Sequence, residues 1–260
     1  MRWLIHGMVG FRRPFNTLEE ASDAASLFYS EGHATRENAN RHIALALKPR
    51  PSDYAALFHL RSILPGVKRV FDLGGNVGNL FYCYSDYLEL PATLTWMIYD
   101  LPEMLSMGEE LARERNETRL RFTDSFYDAD GADLLIASGS LHYFAKPLGA
   151  MLADLEVKPK YVLINRTPLV EGRPTATVQE AEHLLAACNL FNREELLRDF
   201  QILGYEAADS WLAEELSLQI PCYPELSVPA YSGMFLKLRG GLTRLREEHD
   251  SRLVGLSVPE

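Results

Sequence analysis

The chain has 260 residues, 47% apolar and 24% charged, with 17 Gly and 14 Pro scattered along it. That balance suits one large globular domain and excludes fibrous, mucin-like, disulfide-stapled or wholly disordered proteins. Thirty-six acidic against 26 basic residues give a formal charge of −10, so the average field repels nucleic acid and anionic lipid and favours a small-molecule partner.

In chain order, the N-terminal MRWLIHGMVGFRRPF lacks the ordering of a signal peptide, because its basic pair follows the apolar stretch. Residues 17 to 48 carry scattered helical signals, with Thr17 and Glu20 spaced as a capping box. PSDYAALFHLRSIL predicts a helix over 52 to 64, capped by Ser52 and stopped by Pro65 and Gly66. From Val67 onward, short apolar runs alternate with amphipathic stretches, the pattern of βα units around a mostly parallel sheet. Strands are predicted over 67–73, 93–100, 120–124, 132–139 and 160–167. Helices are predicted over 78–88, 102–115, 147–155 and 192–203, the last stopped by Gly204. Runs at 214–220 and 232–238 predict an antiparallel hairpin at the sheet edge.

The expected domains are an N-terminal helical extension or lid over 1–64, a main domain over 65–240 and a tail over 241–260. Cys83, Cys188 and Cys222 show no CxxC spacing, the histidines are dispersed, and no apolar run approaches the roughly 20 residues that span a bilayer. A soluble, cytoplasmic protein without a metal or a membrane partner is expected. GxSxG and GxxxxGK[ST] are absent, which disfavours the hydrolase elbow and the nucleotide-hydrolase phosphate loop.

The strongest motif is VFDLGGNVGNLFY, residues 70 to 82: an apolar strand, Asp72, a turn containing Gly74, Gly75, Asn76 and Gly78, then a helix. Glycines let a ligand lie against backbone N–H groups at a helix start. In a dinucleotide GxGxxG pattern the first glycine would fall on Leu73, and a pyrophosphate would be repelled by Asp72. A cationic cofactor would not be.

Here the sequence resembles class I S-adenosylmethionine-dependent methyltransferases, and in particular small-molecule O-methyltransferases, whose first motif reads roughly DxGGGxG with a glycine where this chain has Asn76. YDLPEML resembles their DLP motif: the resemblance places Asp100, with Leu101 beside it, about 20 residues beyond the turn to accept two ribose hydroxyls. FTDSF puts Asp124 and Ser125 where the family contacts the adenine amino group. ASGSLHYF brings Ser138 to the cofactor and aligns His142 with a general-base histidine, while Tyr143 replaces the family's Asp. INRTPLVEG and TATVQ look like the RTP and TVQ segments of a little-characterised bacterial methyltransferase family, with Tyr143, Arg166 and Gln179 toward the substrate. The resemblance covers about residues 67 to 240. It implies a Rossmann-like α/β fold with a mostly parallel seven-stranded sheet and an antiparallel edge hairpin, S-adenosyl-L-methionine as cofactor, and methyl transfer to a hydroxyl, or second to an amine, of a small molecule.

Blander roles remain open for the same residues. Asp100 also suits a helix N-cap, Asp124 and Ser125 a turn, His142 a hydrogen bond at a strand end, and Arg166 and Gln179 a solvated surface. A binding protein without chemistry, a sensor or assembly subunit, is the first rival function; an NAD-linked oxidoreductase is the second.

Overall fold

The computed structural model describes residues 10–11, 13–26, 48–181 and 184–239. The expected tail over 241–260, and the helical signal from 27 to 47, lie outside the described residues. A seven-stranded sheet holds β2 (Arg69–Leu73), β3 (Thr95–Tyr99), β4 (Leu120–Thr123), β5 (Leu134–Ser138), β6 (Tyr161–Thr167), β10 (Tyr205–Ala213) and β11 (Tyr231–Leu238). Their spatial order is β10-β11-β6-β5-β2-β3-β4. The pairs among β2 to β6 are parallel, whereas β11 runs antiparallel between β6 and β10.

The five predicted parallel strands form within one or two residues of their expected ends, because β2, β5 and β6 at the centre read as near-continuous apolar runs and β3 and β4 keep apolar residues facing the core. Val70, Leu134, Ile136 and Leu163 join a core under α2 (Asp53–Ile63) and α3 (Asn79–Ser85), to which Leu105 and Ala112 of α4 (Pro102–Glu114) contribute. Phe71, Leu135, Ala137, Val162 and Ile164 join the opposite core under α5 (Leu148–Ala153) and α6 (Arg193–Ile202). The α6 cap is local: Asn192 Oδ1 accepts the Glu195 N–H at 2.9 Å, and Gly204 ends the helix at φ 89°.

The edge hairpin exists, but its first strand is β10 over 205–213 rather than 214–220. The backbone of Tyr205–Ala213 pairs with β11, yet Glu206 to Ser210 are exposed and Ala, Asp and Ser give little strand signal. Ser52 does not cap α2. It has helical φ and ψ, and its Oγ donates to Glu215 at 2.5 Å. Near the N-terminus, by contrast, Thr17 Oγ1 does accept the Glu20 N–H at 3.2 Å at the start of α1 (Leu18–Ser26).

A second, unexpected sheet is built from the segment between β6 and α6 together with one N-terminal strand. Its order is β1-β8-β9-β7, formed by β1 (Gly10–Phe11), β7 (Leu169–Val170), β8 (Thr175–Ala181) and β9 (Leu184–Asn192). Ala21 and Ala25 of α1 pack on Ala176, Val178 and Leu185, so this part of the N-terminal region covers the insert. Helix α2 instead packs on the main sheet.

The edge is locked to that sheet by side chains. Trp211 Nε1 donates to Asn165 Oδ1 at 2.9 Å and its ring stacks on His59 at 5.8 Å, while His59 bonds Asp209 at 2.7 Å. A Cβ on Gly233 would overlap the Trp211 indole. Gly233→Ala is therefore expected to destabilise the protein by about 1 to 3 kcal/mol, read as a lower urea midpoint at constant slope; an unchanged midpoint would show that the indole moves freely.

Candidate functional site

Strand order reverses between β2 and β5, since the chain proceeds from β2 outward through β3 and β4 and then returns to β5 and β6. Connections diverge there and leave a crevice at the carboxyl ends of the strands. Four predicted segments end at this edge: the glycine turn after β2, Asp100 and Leu101 after β3, Asp124 and Ser125 after β4, and the loop from Ser138 after β5.

The turn is built from left-handed backbone. Gly74, Asn76 and Gly78 have φ of 72°, 56° and 95°. Asn is the non-glycine residue that best tolerates this region, so Asn76 meets the conformational need of the glycine it replaces. A side chain on Gly74 would overlap Ser140, and a Cβ on Gly75 would lie 2.7 Å from the Asp72 carboxylate. Asp100 holds the turn from the next strand: its Oδ2 accepts the Asn76 N–H at 2.7 Å and its Oδ1 the Leu101 N–H at 2.8 Å. Each oxygen retains a further lone pair for an outside donor. Burial raises the Asp100 pKa, against the opposing effect of these two N–H groups. Leu101 is 45% exposed beside it, an apolar surface suited to a flat ring.

Asp72 lies beneath the turn rather than open to the crevice. It is 1% exposed, its Oδ2 accepts from Trp96 Nε1 at 3.0 Å, and its Oδ1 has no hydrogen-bond partner among the described residues. Burial pushes its pKa up to about 7, with the indole N–H opposing and the Asp100 charge adding. Ser140 Oγ donates to the Leu73 carbonyl and ties the β5 loop to the turn. Asp124 is exposed, and Ser125 donates its N–H to Thr123 Oγ1 at 3.0 Å. Among the described residues, no group of three or more His, Cys, Asp and Glu could hold a metal ion.

On the far side of β5 the predicted residues meet partners that spacing did not reveal. Arg166 is 7% exposed at φ 55°; its Nη1 pairs with Asp53 and its Nη2 donates to Ser138 Oγ, both at 2.8 Å. Asp53 Oδ1 also accepts from Tyr84 at 2.8 Å and from Asn165 at 3.3 Å. Tyr143 donates to Gln179 Oε1, and Asn189 Nδ2 donates to the Phe144 carbonyl at 2.9 Å, so the inserted sheet grips the loop that carries His142. His142 is 4% exposed, its ring 4.1 Å from that of Tyr143 and 6.1 Å from that of Tyr231. Asp53, Ser140, Asn165 and Asn189 gave no sequence signal because their partners lie far away in the chain.

The raised Asp72 pKa has a definite pH signature. Between about pH 4 and 7 the unfolded chain releases this proton while the folded chain keeps it, so the stability Asp72 contributes is complete below pH 4 and lost as pH rises to about 7. Asp72→Asn keeps an oxygen for Trp96 and removes the titration. From pH 4.5 to 7.5 its stability relative to the parent is expected to rise by a few kcal/mol in urea unfolding, because each tenfold change in proton affinity is worth about 1.4 kcal/mol. Parallel profiles would contradict the assignment.

No family model and no curated protein matches the chain. Among solved structures it is similar to the mitomycin 7-O-methyltransferase MmcR, with a TM-score of 0.52 and 16% identity, over 85% of this chain and 66% of that one. It is also similar to the 1,6-didemethyltoxoflavin-N1-methyltransferase of Burkholderia thailandensis, with a TM-score of 0.50 and 20% identity, over 85% and 89% of the two chains. The sheet order and these likenesses together give the chain the Rossmann-like fold of class I methyltransferases.

Proposed function

We propose that this chain is an S-adenosylmethionine-dependent methyltransferase acting on a hydroxyl of a small molecule. The observation that carries the reading is the Gly74–Gly78 turn held by Asp100 at the strand-order reversal. The fit is chemical as well as geometric. Left-handed backbone at Gly74, Asn76 and Gly78 brings the turn's main chain to the crevice, and Asp100 presents two acceptor oxygens suited to a ribose diol. Leu101 would flank the base, with Asp124 and Ser125 within its reach after β4 and Ser138 on the β5 side. The antiparallel β11 between β6 and β10 departs from the order of dinucleotide-binding sheets, which favours this reading over the NAD-linked one.

When bound, the cofactor would supply a methyl group already activated on a sulfonium. The chain's own tasks are then to position the acceptor, exclude water and take a proton. Positioning falls to the loop from Ser138 to Phe144, fixed by Ser140 on the turn and by Gln179 and Asn189 on the insert. Exclusion of water falls to Tyr143 and Tyr231, which flank His142. His142 would accept the hydroxyl proton as general base. Both structural neighbours are methyltransferases by name, one acting at oxygen and one at N1. A nitrogen acceptor is thus the second reading, and a substrate screen decides between them.

Asp100→Ala removes two acceptor oxygens and frees the Asn76 N–H. Affinity for S-adenosylhomocysteine is expected to fall about a hundredfold by calorimetry, the scale of two hydrogen bonds to a charged group; parent-like affinity would remove the ribose assignment. With an acceptor in hand, His142→Ala is expected to lower the methylation rate about 10² to 10⁴-fold and to remove the acid limb of the pH–rate profile. An unchanged profile would remove the base.

A further inference from the structure

Arg50 stands just before α2, where its backbone N–H donates to Asp53 Oδ2 at 2.9 Å. Its side chain is half-buried, and its guanidinium makes no hydrogen bond or ion pair with the described residues. The nearby anions are already engaged: Asp53 by Arg166, Tyr84 and Asn165, and Glu215 by the N–H and Oγ of Ser52. Arg166, a like charge, adds repulsion. Burial and that like charge lower the Arg50 pKa against the attraction of Asp53 and Glu215. A half-buried cation without a protein acceptor costs the folded chain free energy, and chains retain such groups where a ligand completes them.

Its place beside the sheet says which ligand. Asp100 takes the nucleoside end of the crevice at β3, and the reactive end then lies toward β5. Arg166 ends β6, one strand beyond β5, with Nη2 on Ser138. The Asp53 carboxylate links the two, accepting the Arg50 backbone N–H on Oδ2 and Arg166 Nη1 on Oδ1, which puts Arg50 on the acceptor side. We propose that the methyl acceptor carries a carboxylate and that Arg50 binds it, beside Arg166, so that the substrate class is a small hydroxy acid. The proposal rests on the methyl-transfer reading, because it is the nucleoside at Asp100 that makes this the acceptor side.

The test uses the full chain saturated with S-adenosylhomocysteine and two probes matched in size, 4-hydroxybenzoate and 4-hydroxybenzamide, titrated calorimetrically. The acid is expected to bind about tenfold more tightly than the amide, the scale of one charge-assisted hydrogen bond. Arg50→Gln is expected to abolish that preference without lowering the thermal midpoint of the unliganded protein, and Arg50→Lys to restore part of it. A merely structural arginine would lower the midpoint when removed. An acid that does not bind or binds no better than the amide, a preference that survives in Arg50→Gln, or a lowered midpoint each overturns the proposal. So does a selective loss of S-adenosylhomocysteine affinity in Arg50→Gln, which would assign Arg50 to the cofactor. Failure of S-adenosylhomocysteine to bind the parent protein would instead overturn the methyl-transfer reading itself.

Discussion

The crevice depends on the tie between the turn after β2 and the end of β3, where the Asp100 carboxylate accepts the Asn76 N–H and the Tyr99 carbonyl accepts the Gly74 N–H. A run of left-handed backbone at Gly74, Asn76 and Gly78 has few internal bonds of its own, and Asp100 fixes it in register with the end of β3. Asp72 supports the same turn from beneath, held by Trp96, at the cost of burying a carboxyl group. Ser140 closes the third side through the Leu73 carbonyl. A carboxylate thus does two things at once: it orders the backbone that a ligand would rest on, and it offers that ligand acceptor oxygens.

The main sheet was legible because its strands are buried on both faces and read as short apolar runs, and because Pro102, Asn192 and Gly204 mark helix boundaries locally. The edge strand β10 was not, since a strand with one paired side and exposed faces needs no apolar pattern. The inserted sheet was hidden for another reason. Its β9 reads LLAACNLFN, rich in Ala and Leu with no alternation, and becomes a strand only because β8 pairs with it and α1 covers it.

The site divided in the same way. Residues in one contiguous turn, Gly74 to Gly78, and the first acid after the next strand were readable from spacing. Roles that depend on contacts across 112 or 113 positions, as between Asp53 and Asn165 or Arg166, were not. Arg166 illustrates the difference: the sequence presents it as a polar residue near the end of a strand, while the fold commits its guanidinium to Asp53 and Ser138. That network joins the start of α2, the end of β5 and the end of β6, and Tyr143 with Gln179 joins the insert to the loop that carries His142. The β5 and β6 side of the crevice is consequently shaped by three separate parts of the chain, whereas the β2 and β3 side belongs to one βα succession.

The most direct measurement is a crystal structure of the protein grown with S-adenosylhomocysteine. The account predicts the ligand across the ends of β2 and β3, both ribose hydroxyls on the Asp100 carboxylate and the backbone of the Gly74–Gly78 turn against it. A ligand bound elsewhere, or a ribose that does not touch Asp100, would contradict it.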